Sequence, residues 1–429
     1  MKVLMFGWEF PPHISGGLGT ACYGLTKALA TQDVEMIFIV PKAYGDEDQC
    51  QMNIVGANTI PIGIKRFNFK DVMKEMSYVE LGSNLIPYVN EDEYYNIINK
   101  RVESEKFISQ TNENTCLTFN GGYGGGLMQE VANYAVVAKS LVEMFDFDII
   151  HAHDWLTYPA AIAAKEASGK PLVIHVHATE FDRSGENVNQ YVYDIERAGM
   201  HFADKVITVS NLTRGIVVNR YGVDEEKVIT VYNAVEKVNE SEGIHFEKGF
   251  DDKIVTFLGR ITFQKGPEYF VEAAYKVLQR TQNVKFVMAG SGDMLEKMIQ
   301  RVAELGISSK FFFTGFLKGD DVVKMLNISD VYVMPSVSEP FGISPLEAMR
   351  SNVPVIISKQ SGVSEILKHA IKVDFWDIDA MADAIYGILQ YSGLNIMFKE
   401  HAKDEVDSLK WDNAALKIKD VYSDAINGR

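Results

Sequence analysis

The chain has 429 residues, 47% of them apolar, enough for two or three domains with cores of their own. A formal charge of −16 excludes a general binder of nucleic acid or anionic membrane, while leaving room for a local basic pocket. Cys22, Cys50 and Cys116 are too few and too widely spaced for a metal knuckle, and such sparse use suits a reducing compartment.

The opening apolar run, residues 3–6, is too short for a signal peptide and reads as a strand. No run approaches the roughly 20 apolar residues that cross a bilayer, so a cytoplasmic protein is expected. Further strands are predicted over 36–40, 148–151, 172–176, 206–209 and 228–231, with helices over 19–30 and 158–168. A second series follows, with strands over 254–258, 285–288, 311–314, 331–334 and 354–357 and helices over 267–279 and 294–305. Short apolar strands alternating with amphipathic helices specify parallel sheets covered on both faces. The polar stretch 235–249 is the expected hinge, and the tyrosine-bearing segment 64–126 interrupts the rhythm as an insertion. The predicted domains are therefore 1–238 and 239–405. An amphipathic carboxyl-terminal helix, within 406–429, is expected to return to the first domain.

Chemistry-bearing residues cluster at the ends of these strands, where open α/β sheets bind ligands. After the first strand, Gly7–Ala21 carries Gly16, Gly17 and Gly19, which let a phosphate approach the backbone closely. The spacing is not Gly-x-Gly-x-x-Gly, which argues against a dinucleotide site. His153 and Asp154 of the HAHDW segment end another strand, next to one that closes with His175 and His177, Glu180 following. Such a histidine can bond a sugar hydroxyl. His151 and His153 are expected to face opposite sides of their strand, which argues against a shared ion. In the second series, Gly259–Gly266 (GRITFQKG) places Arg260 and Lys265 where they can stabilise charge building on a leaving diphosphate, each such contact being worth about 3 kcal/mol. Gly290, in Gly290-Ser291-Gly292, offers backbone donors or room for a nucleotide. Finally SEPFGISPLEAM, Ser338 to Met349, sets Glu339 and Glu347 around a helix start. Glu347 falls near that helix's apolar stripe, an unusual place for a solvated carboxylate.

Taken in order, these segments resemble the retaining glycosyltransferases of family 4, and more distantly glycogen and starch synthases, over nearly all of the chain outside 64–126. The resemblance implies a GT-B fold: two Rossmann-like, doubly wound domains around a deep interdomain cleft. It implies that Arg260 and Lys265 hold the diphosphate, Glu347 the ribose hydroxyls and Glu339 the donor sugar, with help from the backbone at Phe341, Gly342 and Ile343. Gly16 and Gly17 contact the diphosphate from the other domain, and His153 meets the sugar near its anomeric carbon. No metal and no further cofactor is required. The leaving phosphate takes the acceptor's proton on the same face of the sugar, which needs no enzymic nucleophile. The expected activity is transfer of glucose from UDP- or ADP-glucose to the non-reducing end of an α-1,4-glucan. Ile14, where the bacterial ADP-glucose enzymes carry lysine, and Glu347, where they commonly carry tyrosine, leave UDP-glucose at least as plausible as donor. The alternatives are a small sugar, sugar phosphate or envelope glycan as acceptor, or a silent glucan- or nucleotide-binding protein.

Overall fold

The computed structural model describes residues 1–13, 16–48, 52–62, 115–235 and 251–428. In the first domain these are β1 (Lys2–Phe6), α1 (Gly17–Ala30), β2 (Glu35–Val40), β3 (Asn53–Gly56), β4 (Pro61–Ile62), β5 (Thr115–Cys116) and α2 (Leu127–Met144). There follow β6 (Ile149–His153), α3 (Tyr158–Ser168), β7 (Leu172–Val176), α4 (Glu180–Ser184), α5 (Gln190–Phe202), β8 (Lys205–Thr208), α6 (Asn211–Tyr221) and β9 (Val228–Thr230). The second domain holds β10 (Lys253–Leu258), α7 (Pro267–Leu278), β11 (Val284–Ala289), α8 (Leu295–Glu304), β12 (Phe311–Gly315) and α9 (Asp320–Ile328). It continues with β13 (Val331–Met334), α10 (Ser344–Arg350), β14 (Val355–Ser358), β15 (Ile371–Val373) and α11 (Ile378–Gln390), before α12 (Ser392–Ser408) and α13 (Trp411–Ile426). The hinge expected at 235–249 lies outside the described residues except for Val235, as does the insertion except for 115–126.

Each domain is built on a parallel sheet, as the strand–helix alternation requires. The first runs β3-β2-β1-β6-β7-β8-β9 and the second β12-β11-β10-β13-β14-β15. Both have one point where the strand order reverses, between β1 and β6 and between β10 and β13. The loops leaving those four strands open a crevice at their carboxyl ends, the place where doubly wound sheets take ligands. Apart from Gly290, the predicted site residues lie in or directly after one of those loops, or, for His153, at the end of the strand that leads into one.

Alternation along the strands divides the first core in two. Leu4, Phe6, Ile150 and Ala152 pack under α2 and α3, whereas Val3, Met5 and Ile149 face α1 and α13. The buried stripe of α13 is Trp411, Ala414, Ala415, Ile418, Val421, Tyr422 and Ala425, the spacing of one helical face. That stripe lies in the first domain's core, so the carboxyl-terminal helix does cross back.

Candidate active site

On the second domain, β10 runs into a turn that ends at Gly266, with φ of +63°. A Cβ there would sit 2.1 Å from the Pro335 carbonyl oxygen, so only glycine lets this turn lie against the segment after β13. That close approach puts Lys265 beside Glu339, and the two form an ion pair whose side chains are 19% and 8% exposed. Ser336 Oγ donates to the same carboxylate oxygen at 3.3 Å. Arg260 donates to Gln264 Oε1 at 3.2 Å, which orders its guanidinium on the same loop. Glu347, on the first turn of α10, is half-buried, and burial raises its carboxyl above the usual range against the opposing pull of Arg350. Phe341 is a core residue, so any part it plays toward a ligand belongs to its backbone. Gly290 is explained by packing: its N–H is bonded to Gly315, and a Cβ would strike the Gly259 carbonyl at 1.8 Å. Its N–H is therefore not available as a donor to a ligand.

On the first domain, Gly16 and Gly17 begin α1 in the open, where a Cβ on either would meet nothing within 4 Å. The Gly19 N–H, deeper in that turn, is already taken by the buried Glu9 carboxylate at 3.1 Å. His153 is fully shielded, and its Nδ1 is bonded to His177 Nε2 at 2.9 Å. In this conformation the half-buried ring at the strand ends is therefore His177. Asp154, at φ +59°, turns the chain after β6 and accepts from the His177 and Ala178 N–H groups. Burial raises its carboxyl to about 6 although Arg183 pulls the other way.

The two halves are joined by residues that the sequence reading passed over. Asp182 on α4 accepts from the Thr179 N–H and hydroxyl with one oxygen and from Ser338 Oγ of the second domain, at 2.5 Å, with the other. Ser338 directly precedes Glu339. Arg183 is buried between Glu180 and Glu196, at 3.4 and 2.8 Å. The signal for this element was the Thr179-x-x-Asp182 capping box just past β7, here formed in full. Glu365 of the second domain accepts from the Asn211 and Leu212 N–H groups that begin α6 in the first.

Two groups of side chains at the first domain's strand ends could hold a metal: His151, His153 and His175, and Cys22, His153 and His177. The expectation that His151 and His153 face opposite sides is corrected here. Residues two apart on a strand share a face, and their rings stack with centroids 4.3 Å apart. The hollow lined by Lys2, Glu35, Asn53 and Met144 lies at the opposite, amino ends of the strands, away from all of these residues.

Residues 2–230 match the starch synthase catalytic domain family, and residues 240–405 match glycosyl transferases group 1. An uncharacterized glycosyltransferase of Methanocaldococcus jannaschii is 29% identical, over 99% of both chains. The glycogen synthase of Mycobacterium tuberculosis is 20% identical, over 100% of this chain and 96% of its own. Sucrose-phosphate synthase from Thermosynechococcus elongatus superposes over the full length of both chains with a TM-score of 0.71 at 16% identity, a likeness of fold.

Proposed function

The chain belongs to the starch synthase catalytic domain family and is a hexosyltransferase of the GT-B fold, and from that premise we propose that it extends an α-1,4-glucan from UDP- or ADP-glucose with retention. The observation that carries this reading is the Lys265–Glu339 pair at the second domain's reversal point, flanked by Arg260 and Glu347. An ammonium has three donors, so Lys265 can keep Glu339 in place while it binds an outer phosphate oxygen. In this reading Arg260 shares the diphosphate, Glu339 orients the sugar hydroxyls and Glu347 accepts from the ribose. Among the described residues no acceptor takes the N–H groups of Gly342 and Ile343, which leaves them to the donor. Gly16 and Gly17 close on the diphosphate from the other domain, and His153 acts at the sugar through His177. The bond from C1 to the phosphate oxygen breaks while the acceptor oxygen bonds C1 on the same face, and the acceptor's proton passes to the departing phosphate. The two cations stabilise the charge on that phosphate, and no bound metal is assigned to the step.

The test is nucleotide release from UDP-glucose, ADP-glucose and GDP-mannose, each with and without glycogen. Glycogen-dependent release from a glucose donor, with lengthened glucan on product sizing, supports the reading and names the nucleotide. Release that ignores glycogen, or that favours GDP-mannose, overturns glucan synthesis and moves the acceptor to a small sugar, sugar phosphate or envelope glycan.

A further inference from the structure

Neighbouring strands β6 and β7 each carry histidines two residues apart, and the register places His153 directly opposite His175. The pattern puts His151, His153 and His175 together on the α1 and α13 side of the sheet, where the three are 0%, 0% and 2% exposed. Their ring centroids lie 4.3 to 5.4 Å apart. One ring nitrogen from each comes within 4.8 Å of those from the other two.

The unusual feature is what these nitrogens lack. His151 Nε2, His153 Nε2 and both nitrogens of His175 are buried without a hydrogen-bond partner among the described residues. Buried polar atoms in folded proteins are nearly always paired, and an orphan is a penalty the fold carries for a reason. The remaining nitrogens of the first two rings are held from outside, His151 Nδ1 by the Tyr422 hydroxyl and His153 Nδ1 by His177. In the tautomer in which Nδ1 donates in these bonds, Nε2 is a bare lone pair, the arrangement by which outer partners prepare an imidazole to bind a metal.

We propose that His151, His153 and His175 bind one zinc-class divalent ion, each through a ring nitrogen, with Tyr422 and His177 as the outer partners that orient them. Ligand nitrogens about 2.1 Å from a tetrahedral ion sit roughly 3.4 Å apart, so side-chain rotation has to close the present separation by no more than about 1.4 Å. Imidazole donors suit zinc, copper and nickel, whereas calcium and magnesium want oxygen. The ion staples β6 to β7 and, through Tyr422, fixes α13 to the sheet. The ion's role is structural; it shares His153 and His177 with the proposed sugar site, but the test reads metal affinity and does not depend on the transfer activity.

The experiment uses the untagged full chain, stripped with EDTA and dialysed, then titrated with Zn²⁺ by calorimetry and with Co²⁺ by visible absorption. The expected result is one equivalent bound, a tetrahedral cobalt spectrum, and a thermal midpoint that rises with zinc and returns with EDTA. His175→Asn removes the binding. Tyr422→Phe, a milder change to an outer partner, weakens it at least about tenfold while circular dichroism stays native. His13→Ala, which disrupts the group formed by exposed His13 and Asp46 with buried Glu47, leaves it unchanged. No binding to the wild-type chain, equal binding by His175→Asn, or loss of binding in His13→Ala overturns the proposal.

Discussion

At the scale of single residues, the Lys265–Glu339 pair is both a largely shielded ion pair and the centre of the proposed site. Its two charges are largely shielded, so removing one strands the other. Lys265→Ala and Glu339→Ala are each expected to lower kcat by about 10²–10³, the usual worth of one electrostatic contact in a transition state. Each is also expected to cost about 1–3 kcal/mol of stability, of which the double variant recovers part. Single-turnover kinetics and urea unfolding of the three variants check this, and strict additivity of the two stability losses would falsify the coupling. A second residue reports through pH. Glu196 and Glu180 share the single guanidinium of Arg183, and burial raises Glu196 from 4.5 to about 7, against the pull of Arg183 and the Tyr221 hydroxyl. Between those values the folded carboxyl keeps a proton that the unfolded one has lost. Stability therefore falls as pH rises through that window, by up to about 3 kcal/mol, and levels off above it. Urea midpoints from pH 4.5 to 8 should show this slope in the wild type and a shallower one in Glu196→Gln. The site's charged residues were legible because Arg260, Lys265, Glu339 and Glu347 lie in local motifs. Asp182 and Arg183 were not, since their meaning depends on Ser338 and Glu196, which the fold brings to them from 156 and 13 residues away.

At the scale of elements, the sequence was readable where a strand is buried on both faces. The interior strands β1, β10 and β13 are near-continuous apolar runs, and β6 and β7 are apolar but for His151, His153 and His175. The edge strands β3 and β15, NIVG and IKV, are short and partly exposed, and so carry no such run. Helix α2 was missed because its amphipathic pattern follows directly on the glycine-rich end of the insertion, although it buries Tyr134 in the core. Helix α13 was legible from its stripe, but its seat was not. It lies against α1, where a Cβ on Gly24 would sit 2.3 Å from the Trp411 indole nitrogen. Gly24→Ala is expected to lift α13 at a cost of about 1–3 kcal/mol, the usual cost of overpacking. Hydrogen exchange should then speed up across 411–426 and stay unchanged in α7 and α11 of the other domain. Equal exchange in both proteins would mean that the contact yields without moving the helix.

At the scale of the whole molecule, the domains meet through polar contacts beside the site and through Val209 and Tyr232, which pack into the second domain's core. Ser338–Asp182 and the Glu365 carboxylate on α6 lie on opposite flanks of the Pro340–Phe341 turn, and Thr213 adds a bond to the Pro340 carbonyl at 3.4 Å. Ser338 adjoins Glu339, so in the proposed mechanism its bond to Asp182 couples the relation of the two domains to the placement of the Glu339 carboxylate. Ser338→Ala should therefore raise the donor KM more than it lowers kcat. Small-angle scattering should show a larger radius of gyration for this variant without nucleotide, and a drop toward the wild-type value with UDP. Identical profiles for the two proteins, with and without UDP, would place the control of closure elsewhere.

The return of α13 also sets the order in which this protein can be made. Residues 411–426 leave the ribosome after the entire second domain, yet they cover Cys22, Leu25 and Ile149 on a face of the first. Until they emerge, the half synthesised earliest carries an open apolar flank, while the half synthesised later already has its own core. The first domain's apolar flank is thus sealed only after the whole second domain has been made, and a chain lacking residues 411–426 would leave Cys22, Leu25 and Ile149 uncovered.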